Sequence, residues 1–517
     1  MSSLDLRIGI DVGGTNTDAV VLDRAASVVA RIKTPTTPDV TGGIRDALAR
    51  VLQDSAVEHD RVTHVMLGTT HATNAILERR RLGRVAVLRI GGPATHAIRP
   101  LFAWPEDLRE TVCAGAVIVD GGSEYDGREL VPFDREAAAR FIAECGAGAD
   151  AIAITSVFSP ASPDHERRAR ELVVELLGVD KPVSLGHEVG SLGLVERENA
   201  TVLNATLAGV AREVGAALVA ALEQHRIDAV VYFAQNDGTL MALDYAMRFP
   251  VLTIGSGPAN SLRGAAYLTG ISDAIVADVG GTSTDLGVLV SGFPRESAAA
   301  VEIGGVRTNF RMPDVLSIAL GGGTVVGGSA AAVVLGPGSV GYELTRRALS
   351  FGGDTRTMTD AAVHAGRVRI GSRPVGDAAL FAAALERADA MVTAAVDQIK
   401  VGQEPRPLIV VGGGSFLIPD QIAGASEVLR PRDHDVANAI GAAIALASGR
   451  WEEVVELDGD RRGALDGACA RARDRAIEAG ADPAAVEIVE LEEVPLAYLN
   501  RPTVRVRAKA AGPLGSI

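Results

Sequence analysis

The sequence predicts an α/β protein built from two related halves that close on one cleft. Three observations predict it: a duplicated glycine-turn hairpin, a strand–helix rhythm around each copy, and further glycine runs at strand ends. Residues 8–22 read IGIDVGGTNTDAVVL and residues 275–289 read IVADVGGTSTDLGVL; without gaps, 10 of 15 positions are identical, 267 residues apart.

In each copy an apolar strand runs into an acid, Asp11 or Asp278, and turns through Gly13-Gly14-Thr15 or Gly280-Gly281-Thr282. It continues through Thr17-Asp18 or Thr284-Asp285 into a second apolar strand. Paired glycines let the backbone turn tightly and present N–H groups to an anion. The hydroxyls of Thr15, Thr17, Thr282 and Thr284 add donors. A carboxylate at the strand end repels phosphate, but it can hold a phosphate-bound Mg²⁺ or its waters, or position an attacking hydroxyl or water. A β-turn alone requires neither that acid nor the Thr-x-Thr-Asp after the glycines. Two such hairpins facing each other would grip a nucleoside triphosphate from both sides, with Asp11 and Asp278 as the catalytic and metal-holding pair.

Composition narrows the classes. The chain has 517 residues, enough for two to four domains, and a net charge of −15, which argues against a nucleic-acid partner. Glycine, 58 residues, is enriched over the usual ~7% and gathers at 321–323 and 412–414. There is no unbroken apolar run of membrane-spanning length, and MSSLDLRIGID enters a strand directly. Cys113, Cys145 and Cys469 are too scattered for a disulfide framework, zinc site or cluster, which predicts a reducing, cytoplasmic setting.

Element by element, the first hairpin leads through a Pro/Thr-rich link (34–38) to a helix near 40–52, where Ile44, Leu48 and Leu52 keep helical spacing. A strand at 62–67 ends in Gly68-Thr69-Thr70, followed by a helix carrying Asn74 and then a strand at 84–90. Thr69, Thr70 and Asn74 are candidates to line a substrate pocket; the alternative is a helix start with capping threonines. Residues 91–133 read as an inserted lobe, with hairpins over 113–134 and a turn at Asp126-Gly127.

The rhythm resumes with a helix (134–145), a strand (149–158), a helix (164–177) and a strand ending at Gly186-His187-Glu188. His187 and Glu188 could move protons or bind metal, or serve as hydrogen-bonded structure. His165 and His434, set among charges, read as surface residues. A long helical tract (194–225), a strand ending in Gln235-Asn236-Asp237-Gly238, and a helix from Asn260 deliver the chain to the second hairpin. Beyond it, a strand ends in Gly321-Gly322-Gly323, long helices span 377–400 and 435–448, and a buried strand (407–411) ends in Gly412-Gly413-Gly414. Gly321 and Gly322 are candidates for nucleotide contact or for close strand packing. Residues 451–517 read as a small α/β appendage.

These stretches together resemble the actin/sugar-kinase/heat-shock-chaperone ATPase fold, in which two RNase H-like domains close over ATP. That resemblance makes Gly412, Gly413 and Gly414 the adenosine-contacting turn. It divides the chain into 1–270, an RNase H-like domain with the lobe at about 91–133, then 271–450, a second such domain, and 451–517. Within that group, IGIDVGGTNTDAV (8–20), GTTHATNAILER (68–79), GHEV (186–189), QNDGTL (235–240), GSGPAN (255–260), ADVGGTSTDLGVL (277–289), SIALGGGTV (317–325) and TMTDA (357–361) are similar to the A-type subunit of the hydantoinase/oxoprolinase family.

The resemblance implies ATP and Mg²⁺ as cofactors, hydrolysis of a cyclic amide (hydantoin, 5-oxoproline or lactam), and a B-type partner subunit. Its carboxylase branch implies a ketone instead. A small-molecule kinase and a non-catalytic actin-like nucleotide switch are the other readings of the same hairpins. The first would release a phosphorylated product, and the second would bind ATP without substrate-stimulated turnover.

Overall fold

A computed structural model describes residues 6–36, 40–55, 57–297, 301–400, 402, 404–456, 461–496 and 503–515. Part of the predicted Pro/Thr-rich link, at 37–38, lies outside them.

Both halves repeat one sheet order. In the first, Leu6–Val12 pairs antiparallel with Asn16–Leu22, which pairs antiparallel with Val28–Pro35; on its other side Leu6–Val12 runs parallel to Val62–Thr69, then Val230–Ala234. In the second, Ala274–Val279 pairs antiparallel with Thr284–Val290, which pairs with Val315–Ile318, and runs parallel to Arg406–Val411, then Ala425–Leu429. This is the RNase H-like order, twice. The central strands carry near-continuous apolar residues because helices cover both faces: Ile8, Ile10, Ile275 and Ala277 are fully buried.

Between the two sheets lie the helices Ser256–Thr269 and Ala437–Ile444. They cross in backbone contact because each carries a glycine at the crossing. A Cβ on Gly264 would lie 2.0 Å from Ala437 O, and one on Gly441 would lie 1.9 Å from Asn260 O.

The remaining elements depart from the sequence expectations in instructive ways. Cys113–Asp120 is no hairpin but a strand parallel to Val85–Gly92, which is parallel in turn to Ala151–Ser156 and through it to Val183–Leu185. Only residues 123–129 form a small hairpin around Gly127. The stretch 91–133 is therefore part of a larger sheet whose strands run from 85 to 185. Partner choice over such a distance leaves no local trace in the chain. A buried bidentate pair, Arg89 with Glu198 at 2.6 Å on both arms, ties this sheet to the helix Leu194–Thr206.

The tract 194–225 is two helices, Leu194–Thr206 and Ala208–Gln224, meeting at 44°. At the break Thr206 Oγ1 bonds back to Leu203 O and Thr206 O accepts Gly83 N–H. Among the described residues no single helix is long and apolar enough to cross a membrane.

Residues 451–517 are not set apart from the first half. The predicted helix 435–448 stops at Ile444, and Ala447–Glu456 begins a strand that pairs with Leu240–Ala242. Thr503–Gly512 and Glu487–Pro495 pair onto it in turn, making a nine-stranded sheet with Leu6–Val12 within it. The helix Arg461–Glu478 seals the added strands with Ala468, Ala472 and Ala476.

Candidate functional site

The two hairpins share one pairing register and meet at their tips. Asp11 sits opposite Asp18 and Val12 opposite Thr17; Asp278 sits opposite Asp285 and Val279 opposite Thr284. Gly13 N–H donates to Asn16 O at 3.0 Å, and Gly280 N–H donates to Ser283 O at 2.9 Å. A Cβ on Gly281 would lie 2.8 Å from Thr15 Cγ2, so the two turns touch. The N–H groups of Gly14, Thr15, Gly281 and Thr282 have no hydrogen-bond partner among the described residues, leaving donors of both turns free where they converge.

Behind the turns, Asp11 and Asp278 are brought to one point. Asn438 Nδ2 lies 3.4 Å from Asp11 Oδ2 and 3.5 Å from Asp278 Oδ2. Asn260 Nδ2 approaches Asp11 Oδ1 at 3.5 Å, and Ser261 Oγ donates to Asp278 Oδ2 at 2.5 Å. These donors stand on the two glycine-crossed helices. Gly68, on the neighbouring strand, is needed there too, since a Cβ would fall 2.3 Å from Asp11 Oδ1. Lys33 is paired with Asp18 at 2.7 Å and also donates to Asp435 O.

Burial, then Asp18, then Asp278 push Asp11 up to about 7, against the amides of Asn260 and Asn438. Burial also raises Asp278, opposed by Ser261, Lys33 and Asn438, and raises Asp18 and Asp285 to about 6. Four carboxylates thus share a buried region with one nearby ammonium. Such a site suits a divalent cation, whose charge would let Asp11 and Asp278 ionise together. The donor set fits as well: two carboxylates at one point, with free N–H groups of the turns ahead of them for phosphate oxygens.

The other sequence candidates fall differently. Thr17 and Thr284 are buried with hydroxyls turned inward, Thr17 towards Thr36 Oγ1 and Thr284 Oγ1 onto Leu320 O at 2.6 Å. Gly321 and Gly322 brace the second hairpin: Gly322 N–H donates to Gly280 O, Gly323 N–H donates to Gly281 O, and Gly321 N–H donates to Thr324 Oγ1. Gly412 and Gly414 are packed against Asp278 and Val279, while Gly413 is exposed and opens onto a cleft of about 900 Å³ lined also by Arg31, Phe416, Arg430 and His434.

Thr70 Oγ1 donates to Val12 O, Asn74 Nδ2 donates to Thr70 Oγ1, and Thr69 Oγ1 pairs with His71 Nδ1, so all three side chains are engaged locally. His165 is buried, not on the surface. Its Nδ1 accepts Gly122 N–H and its Nε2 faces Glu129. His187 Nδ1 bonds the fully buried Glu166 at 2.6 Å, and Glu188 pairs with Arg248. Sequence reasoning missed Asn438, Ser261 and Lys33. Asn260 lay within the quoted GSGPAN stretch, but nothing in that stretch assigned it to Asp11.

Two RNase H-like lobes with matched acid-and-glycine turns define the class, an actin-like ATPase fold. The family follows from the sequence comparisons. One model, hydantoinase/oxoprolinase N-terminal region, matches residues 7–177, and a second, hydantoinase/oxoprolinase, matches residues 197–402. The chain belongs to the hydantoinase/oxoprolinase family.

Caprolactamase subunit alpha of Pseudomonas jessenii is 27% identical over 509 residues, covering 86% of this chain and 68% of its own length. The gamma subunit of acetophenone carboxylase from Aromatoleum aromaticum is 28% identical, covering 70% and 53%. The crystal structure of the ATP-dependent caprolactamase from the same Pseudomonas species superposes with a TM-score of 0.78 at 22% identity, over 99% of this chain and 89% of that one. The chain spans about half to two thirds of the length of the first curated relatives it matches.

Proposed function

We propose that the chain is the ATP-binding subunit of an enzyme that hydrolyses a cyclic amide by phosphorylating its carbonyl oxygen. The observation that carries this is the convergence of Asp11 and Asp278 on Asn438 Nδ2 behind two touching glycine turns. An amide is a poor electrophile because nitrogen donates into the carbonyl. Transfer of a phosphoryl group to its oxygen removes that protection, and such transfer is chiefly positioning and charge neutralisation. The free N–H groups of Gly14, Thr15, Gly281 and Thr282 hold phosphate oxygens. Gly413 borders the cleft that seats the adenosine. Asp11 and Asp278 hold Mg²⁺, which supplies charge neutralisation on the triphosphate when bound. Asn260, Asn438 and Ser261 fix the two carboxylates.

Asp278→Asn is expected to abolish ATP turnover while leaving the circular dichroism spectrum unchanged; full turnover by that variant rejects the assignment. ATP hydrolysis measured against hydantoins, 5-oxoproline, lactams and ketones, with and without a B-type subunit, identifies the substrate. A B-type partner is part of the proposal because both relatives above are named as subunits. The carboxylase relative supports a second reading, activation of a ketone, which predicts bicarbonate-dependent ATP hydrolysis. Three free cysteines without a disulfide among them fit a reducing, cytoplasmic compartment.

A further inference from the structure

The two hairpins match, but the strand beside each does not. Residues paired across adjacent strands share one face of a sheet. In the first half that row is Asp11, Asp18 and Lys33; in the second it is Asp278, Asp285 and Ser317. The outer residue bonds the middle acid in both. Lys33 Nζ donates to the two Asp18 oxygens at 2.8 and 2.7 Å, and Ser317 Oγ donates to Asp285 Oδ1 at 2.5 Å. The duplicated site therefore carries a cation on one side only. Among the described residues, no other ammonium or guanidinium pairs with any of the four acids.

Three observations put that cation in the cleft between the halves. The chain after its strand wraps the first turn: Thr36 Oγ1 donates to Gly13 O at 2.8 Å, and Thr36 N–H donates to Thr15 O. Lys33 thus stands behind that turn in the same row as Asp11. The second half reaches it as well, since Nζ donates to Asp435 O at 2.8 Å and a Cβ on Gly413 would lie 3.3 Å from Lys33 Cε. Finally, its side chain is 27% exposed against 7% for Asp18, so the carboxylate is covered while the lysine stays accessible.

The residue type carries information too. The chain has 46 arginines and 4 lysines, so arginine is its ordinary cation. A guanidinium is planar and its donors are fixed in a fork. An ammonium is a compact charge whose three donors can be shared out among carboxylate and phosphate oxygens. Asp18 takes two of those donors where one would hold it.

We propose that Lys33 is a phosphate-binding residue of the nucleotide site, with Asp18 as the residue that positions it. This role rests on the ATP reading proposed above and adds a residue to it. Lys33 stays protonated and turns one N–H from Asp18 to a phosphate oxygen. It offsets part of the charge that a triphosphate brings to four carboxylates.

The test uses the full chain and a non-hydrolysable ATP analogue with Mg²⁺. Labelling with ¹³C-lysine gives four sets of side-chain signals, and the set missing from Lys33→Gln belongs to Lys33; Lys33→Arg makes the same assignment if that variant does not fold. The Lys33 signals are expected to move when the analogue binds. By calorimetry, Lys33→Gln is expected to weaken the analogue at least about tenfold, both alone and in an Asp18→Asn background. A lysine present only to neutralise Asp18 would cost nothing once that acid is uncharged. Loss of the effect in the Asp18→Asn background, or unmoved Lys33 signals while the Gly14 and Gly281 amides respond, overturns the proposal and leaves the ATP reading standing. If those amides do not respond either, the ATP reading falls and takes this role with it.

Discussion

At the scale of single residues, Asp11 is a buried acid whose ionisation the fold opposes. Its folded-state value of about 7, against an ordinary 3.8, means the native state holds a proton that the unfolded state has released across that window. Stability of the nucleotide-free chain is therefore greatest below about pH 4 for this group and is lost as pH rises through about 7. Asp18 and Asp285, raised to about 6, act in the same direction. Thermal unfolding without nucleotide should show Tm falling from pH 5 to pH 8, and Asp11→Asn should flatten that fall, by roughly 2–4 kcal/mol at pH 8. The same variant should lose ATP turnover. A pH-independent Tm in the wild type would remove this account of the site. The residue pattern exposed this acid in the sequence, because Asp before paired glycines occurs twice. It could not expose Asn438, which arrives from 427 positions away through the packing of a helix.

At the scale of elements, the helix crossing decides whether the acids are held. Gly264 and Gly441 are reciprocal: each removes the side chain that would strike the other helix's backbone. Gly264→Ala or Gly441→Ala should separate the helices, withdraw Asn260 and Asn438 from Asp11, and cost about 1–3 kcal/mol or more of stability. Calorimetry should find nucleotide affinity weakened at least tenfold, with the loss exceeding that of an alanine placed at the exposed Gly14.

Both hairpins and most strands were legible because apolar runs ending in glycine turns are local signals. The parallel pairing of Cys113–Asp120 was not, since pairing partners are chosen by the sheet and not by the strand. The hydroxyls of Thr17 and Thr284 illustrate the same limit. Repetition marked them as important, but the inward hydrogen bonds that they make depend on strands and turns elsewhere in the chain.

At the scale of the whole molecule, two lobes meet through their turns, so a ligand gripped by both should stabilise both. A non-hydrolysable ATP analogue at about 100 times its Kd should add about 2.7 kcal/mol to unfolding and slow hydrogen exchange at 10–18 and 278–285 together. Protection of one hairpin alone would mean that the turns do not share a ligand. The strands after residue 446 belong to the same body. Truncation after Ile444 should uncover the edge of Leu240–Ala242 and the apolar positions that Ala468, Ala472 and Val506 cover, yielding aggregated protein in place of a smaller stable one.

The nine-stranded sheet also sets a timetable. Leu6–Val12 and Thr503–Gly512 share it, so the first sheet to be synthesised is the last to be completed. At about 5–20 residues per second, a ribosome holds that half-built sheet for roughly ten seconds to a minute before its outer strands emerge. During that interval the nascent chain displays an open strand edge, and the second lobe, with its sheet drawn from 274 to 429, is free to form first.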